Sequence, residues 1–254
     1  MVLDLTSLLA VPGALLLGVA LSPRRGGLRR RSTATLALVL GAMATLIAMT
    51  HALCNLADPE TLVPAFVATL TPIGLGALLF VALRAMGSRR RQPKPTAPLG
   101  LRRGGVALLT LGAWAALSLA PAYALGAFID CPSLLLVGLA SVALAAFEAR
   151  ARWTRWPAAL ARAGLAAGLL SVLPGLLIVA TAAHDPTRVG PGLAMATLGL
   201  LYGGAVHLTA RCVQAALVGP SEERDLALPV GYSVAALGWV LTAAFVVWEL
   251  LRAG

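Results

Sequence analysis

The sequence predicts an all-α fold, a polytopic helical membrane protein of about eight transmembrane helices. Three observations carry that prediction. First, the chain is 59% hydrophobic and only 12% charged, with a mean hydropathy of +0.88. A soluble domain carries about twice that charged fraction, so lipid must be part of the solvent. Second, six windows hold no charge: 32–57, 61–83, 105–129, 163–183, 189–210 and 226–248. Each is long enough to cross a hydrocarbon core of about 30 Å at about 1.5 Å per residue. Third, their Leu, Ala, Val and Gly runs are continuous and lack the alternation of a membrane β-barrel.

Two weaker windows, 5–23 and 131–147, complete the count. Asp4 precedes the first and no basic run does, so it reads as a retained helix rather than a signal peptide. The second and third helices, 32–57 and 61–83, are joined through Asp58-Pro59. Residues 88–104, rich in Pro, Gly and basic side chains, read as a flexible linker. The fourth helix, 105–129, precedes Asp130 and the fifth, 131–147. The sixth and seventh, 163–183 and 189–210, are joined through Asp185-Pro186. A solvated turn with Glu222, Glu223, Arg224 and Asp225 leads to the last helix, 226–248. That helix is expected to run beside the first.

A sequence pI near 11.1 invites a nucleic-acid reading, but the placement of the charge excludes it. Apart from Arg188 and Arg252, every Lys and Arg falls in Arg24–Arg31, Arg84–Arg103, Arg150–Arg162, or the pair Arg211 and Arg224. The alternate turns carry Asp4, Asp58, Glu60, Asp130 and Asp185. This is the positive-inside pattern, with orientation and anionic lipid as the reason for the basic runs. It predicts basic loops in the cytoplasm and both termini outside.

The chain repeats itself. Asp58-Pro59 and Asp185-Pro186 lie 127 positions apart, and Gly41, Pro64 and Gly76 match Gly168, Pro191 and Gly203 at the same offset. "DLTSLLAVPGALLLGVA" from Asp4 and "DCPSLLLVGLASVALAA" from Asp130 match at nearly that offset. Both copies start outside and end inside, so the repeat is parallel rather than inverted. The expected organisation is a first repeat of three helices over 1–87, the linker over 88–104, a second repeat with four helices over 105–218, and a turn with the last helix over 219–254.

"AFIDCPSLLLVGLASVALAAF" (127–147) and "GLLSVLPGLLIVATAAHDPTRVGPGLAMATLGLLYGGAV" (168–206) resemble the transmembrane core of the MotA/TolQ/ExbB proton-channel family. "GAMATLIAMTHALCNLADPETLVPAFVATLTPIGLGALLF" (41–80) is a weaker copy. The resemblance covers most of both repeats. It implies an oligomer, an ion path lined by hydroxyls, and a single-pass partner carrying an intramembrane Asp. Family members are typically single four-helix units, five around two partner helices, with a large cytoplasmic domain. Here the chain is doubled, and the corresponding links are only about 22–31 and 148–162.

Protons cross a low-dielectric core through titrating groups or along water held by hydroxyls, and no Asp or Glu falls at mid-depth in any window. The pore-lining candidates are therefore Thr45, Thr69, Thr71, Ser171 and Thr197. Thr45 falls where the family's third helix carries Thr; Val172 holds the equivalent place in the second copy, with Ser171 beside it. Thr71 and Thr197 fit the fourth-helix Thr. The blander alternative is that each hydroxyl bonds the carbonyl one turn back. Pro72 and Pro174 are expected to kink their helices, as shaping devices or as hydrated hinges. Asp58, Pro59, Asp185, Pro186 and Asp130 are expected at turns on the outer face, the aspartates as helix-entry caps.

No hydrolase, metalloprotease, P-loop or dinucleotide signature occurs, so no enzyme activity and no cofactor are expected. Cys54, Cys131 and Cys212 lack metal spacing, and His51, His184 and His207 are scattered singly. Three functions remain: an ion-conducting subunit of an ion-motive-force machine, a non-conducting membrane scaffold of the same descent, and a small-solute permease.

Overall fold

The computed structural model describes residues 12–13, 15–20, 26–54, 59–86, 100–119, 125–149, 155–181, 186–219 and 226–253. Among these the chain is helical without strands. The helices are α1 over 15–20, α2 (Gly26–Cys54), α3 (Pro59–Met86), α4 (Leu101–Leu119), α5 (Cys131–Ala149), α6 (Trp156–Leu170), α7 (Val172–Thr181), α8 (Pro186–Leu217) and α9 (Ala227–Ala253). A 3-10 turn, Leu125–Phe128, precedes α5. Helices α6 and α7 form one rod broken at Ser171, so eight rods are described. Among the described residues six stretches are long and apolar enough to cross a membrane: Thr33–Leu53, Thr69–Met86, Cys131–Ala149, Trp156–Thr181, Val189–Leu217 and Ala227–Glu249.

Several helices outrun their charge-free windows. α2 begins at Gly26, inside the basic run, because Arg is a good helix former and a charge ends a membrane crossing without ending a helix. The fourth window is the exception. α4 is described over Leu101–Leu119, and Leu125–Phe128, within the same window, is a 3-10 turn rather than part of an α-helix.

Helix α2 is the axis of the fold. Every residue from Thr33 to Thr50 is buried. Helix α3 pairs with it along its length, and α8, α9 and α4 also pack on it. The second extensive pair is α6 with α8, flanked by α5 on one side and by α7 farther along the same rod. Gly18 of α1 abuts Thr33, Gly13 abuts Trp114 of α4, and Gly104 of α4 abuts Ala216 of α8. The expected pairing of the last helix with the first falls largely on residues outside those described. Within the described residues α9 packs on α2, α6, α3 and α8.

With lipid outside, apolar burial cannot hold such a bundle together, and close backbone approach must. Leu78, Val81, Leu139, Phe147, Leu173, Leu177 and Phe245 point outward. The interior is instead knit by small residues and by side-chain hydrogen bonds between helices.

Candidate functional site

Two of the candidate hydroxyls, Thr45 and Ser171, and the prolines Pro72 and Pro174 lie beside two helix crossings. In the first, α2 crosses α3 at Gly41 and Gly76. A Cβ on Gly41 would lie 2.8 Å from the Pro72 carbonyl oxygen and 3.1 Å from the Gly76 Cα; one on Gly76 would lie 2.6 Å from the Ala37 oxygen. In the second, α6 crosses α8 at Gly168 and Gly203. A Cβ on Gly168 would lie 3.0 Å from the Gly203 Cα; one on Gly203 would lie 2.6 Å from the Gly164 oxygen. At Gly41, Gly76 and Gly203 only hydrogen fits, and at Gly168 a Cβ would be tight. The backbone partners also correspond: Ala37, Gly41 and Gly76 stand 127 positions before Gly164, Gly168 and Gly203.

Each crossing carries one candidate hydroxyl. Pro72 has no N–H, and the next amide turns across the crossing, Ile73 N–H donating to Thr45 Oγ1 at 3.1 Å. In the second crossing Ser171 occupies the break between α6 and α7. Its amide donates to the Ala167 oxygen at 3.0 Å and its hydroxyl to the Gly168 oxygen at 2.6 Å. Pro174 explains the break, because it offers no donor to the Leu170 carbonyl and its ring crowds that group. Gly199 makes room for the Ser171 hydroxyl; a Cβ there would overlap it.

The remaining candidates lie elsewhere. Thr69 is buried in α3, whereas Thr71 is on the exposed face of the same helix. Thr197 is buried on α8 and donates to the Leu193 oxygen at 2.7 Å. Its Oγ1 also accepts the indole N–H of Trp239, from α9, at 2.9 Å. The five hydroxyl residues are thus spread over the α2–α3 crossing, the α6–α8 crossing, the α8–α9 junction and the outside of α3.

Asp130 anchors a third cluster. Its carboxylate caps α5, accepting the Ser133 amide at 3.0 Å and also the Ser133 hydroxyl. The Asp130 amide donates to Tyr202 Oη at 2.9 Å, and that hydroxyl donates on to the Phe128 oxygen at 2.7 Å. Phe128 stands edge-on to His51 of α2, with ring centroids 5.2 Å apart. Ser133 also reaches the Met195 oxygen at 3.3 Å. Met195 is nine residues past Pro186, so the start of α5 sits about 13 Å below the start of α8 at the usual helical rise. Pro59 and Pro186 are the first residues of α3 and α8, a position that suits a residue without an N–H. Asp58 and Asp185 lie outside the described residues.

Sequence reasoning missed three side chains that bind these helices together. Tyr202 and Trp239 were not singled out in the sequence. His207, treated as a scattered histidine, is fully buried between α8 and α6. Its Nδ1–H donates to the Ala161 oxygen at 2.8 Å, and its Nε2 is buried with no hydrogen-bond partner. Cys131 and Cys212 are free thiols, and among the described residues no three His, Cys, Asp or Glu side chains come together as a metal site. No protein-family model, curated protein or solved structure matches the chain.

Proposed function

We propose that this protein is an integral membrane subunit of the MotA/TolQ/ExbB type, duplicated within one chain. In this reading it sits in a bacterial inner membrane with its basic loops in the cytoplasm and both termini outside. It lines an ion path together with a single-pass partner that carries an intramembrane Asp, and so uses ion-motive force. The observation that carries the reading is the recurrence of one helix crossing: Gly41 on Gly76 and Gly168 on Gly203, with the same backbone neighbours at the same offset. The capped start of α5, Asp130 with Ser133, adds support at the residues that carry the resemblance. The chain itself offers no carboxylate at mid-depth, which is why the partner must supply one. The decisive experiment is proton flux in liposomes, with and without a single-pass helix bearing Asp. Flux that needs both components supports the reading, and a sealed membrane with both present sinks it.

One observation favours a second reading, a non-conducting scaffold of the same descent. Trp239 of α9 occupies the Thr197 hydroxyl, and Thr45 is taken by the Ile73 amide. Hydroxyls that hold helices together have fewer bonding sites left with which to order a water chain. Flux lost in Thr71→Ala or Thr197→Ala would sink the scaffold.

A further inference from the structure

The offset of 127 residues maps α2 onto α6 and α7, and α3 onto α8, yet the copies have unequal surroundings. Met43, Leu46 and Met49 of α2 are 5%, 0% and 0% exposed; their counterparts Leu170, Leu173 and Leu176 are 53%, 62% and 37% exposed. The same inequality holds on the other helix. Leu198, Leu201 and Leu208 of α8 are buried, while their counterparts Thr71, Gly74 and Val81 of α3 are exposed. The covered faces help cover each other. α2 packs on α8, where a Cβ on Gly204 would lie 2.7 Å from Met43 Cγ and 2.8 Å from Met43 Sδ. One copy's second helix therefore lies on the other copy's third, once, inside the chain. The two faces that would repeat this junction are both present and both bare.

We propose that they meet between molecules: the α6–α7 rod docks on α3 of a second copy of this chain, antiparallel, as α2 docks on α8. The counterpart of Met43 on Gly204 is Leu170 on Ala77. The occupant is a second copy because this chain already carries both halves of the contact. Such a head-to-tail junction forms a ring where the rotation between chains closes and otherwise runs on as an open array. Each chain brings two repeats, so a ring holds an even number of them, unlike the fivefold arrangement the resemblance implies. Thr71, Gly74 and Ala77 supply the small surface that lets a Leu-rich helix approach closely, the kind of contact that drives association in lipid.

The inference rests on the repeat reading above, and its test needs no ion flux. Cys54, Cys131 and Cys212 are first replaced by Ser in the full chain. Two differently tagged versions, Leu170→Cys and Ala77→Cys, are then co-expressed and oxidised in the membrane. The expected product is a mixed disulfide dimer, severalfold above a control pairing Leu170→Cys with Leu139→Cys on the exposed face of α5. Adding Gly74→Trp should abolish the mixed dimer and leave the chain's own melting unchanged, because a side chain at Gly74 meets open space within its own molecule. A mixed dimer no stronger than the control overturns the docking, as does one that Gly74→Trp leaves intact. Cross-linking without proton flux would overturn the conducting function while leaving this interface standing; flux from a monomer would do the reverse.

Discussion

Trp239 of α9 donates its indole N–H to Thr197 Oγ1 of α8 at 2.9 Å, inside the bundle, while the same Thr hydroxyl donates to Leu193. The bond ties the last helix to a candidate pore residue and makes Thr197 a strut between α8 and α9. Thr197→Val keeps the shape and removes the acceptor, leaving a buried indole N–H unpaired. The expected loss is about 0.5–1.5 kcal/mol, the range of single hydrogen bonds between membrane helices. Trp239→Ala removes a large buried side chain as well and should cost about 3–5 kcal/mol. Unfolding of the detergent-solubilised protein by titrated denaturant measures both, and a neutral Thr197→Val would refute the strut.

Tyr202→Phe tests the cluster at the start of α5. The lost hydroxyl serves two backbone groups, accepting from the Asp130 amide and donating to the Phe128 oxygen. Two part-buried backbone groups left unpaired should cost about 1–3 kcal/mol. Hydrogen exchange reports the same event locally: the Asp130 amide should lose its protection while amides inside α2 keep theirs. Unchanged exchange at Asp130 would show that the hydroxyl is dispensable.

An all-helical chain and the order of its helices were legible because charge is excluded from hydrocarbon whatever the fold, but of the eight crossings expected only six described stretches are long and apolar enough to span. The windows report membrane thickness rather than helix length, which is why α2 and α8 run past them and why 105–129 read as one span although it holds both α4 and a 3-10 turn. The Gly pairs at positions 41 and 76, and 168 and 203, stood out as matched small residues, although their mutual contact did not. Which faces are buried was illegible. Leu46 and Leu173 are the same residue type at matched positions, one enclosed and one bare. Lipid and protein interior are equally apolar, so a helix in a membrane needs no polar face to mark its outside. Tyr202, Trp239 and His207 were missed for a related reason: each bonds a residue tens of positions away, a relationship no local pattern encodes.

The crossings make opposite predictions for glycines that look alike in sequence. Gly76→Ala and Gly203→Ala place a methyl 2.6 Å from a backbone oxygen, and backbone cannot swing aside as a flexible side chain can. Each should separate its helix pair and cost about 1–3 kcal/mol. Gly231→Ala and Gly238→Ala in α9 meet nothing within 4 Å. There the gain in helix propensity should show alone, stabilising by about 0.5–1 kcal/mol each. The same unfolding titration decides, and equal effects at Gly203 and Gly238 would contradict the crossing.

His207 separates a structural residue from a working one. One ring nitrogen donates to Ala161 and the other is enclosed without a partner, a cost the fold carries with no visible return. His207→Leu removes the enclosed acceptor along with the Ala161 bond. A backbone carbonyl in a helix already has its intrahelical donor, so little is lost there, and relief of the unpaired nitrogen should leave stability unchanged or raise it by about 1 kcal/mol. Proton flux, measured in the same liposomes with the Asp-bearing partner, should survive if His207 only fills space between α6 and α8. A stable His207→Leu chain that assembles normally but has lost flux would instead place this histidine, fully buried within a described span, on the ion path.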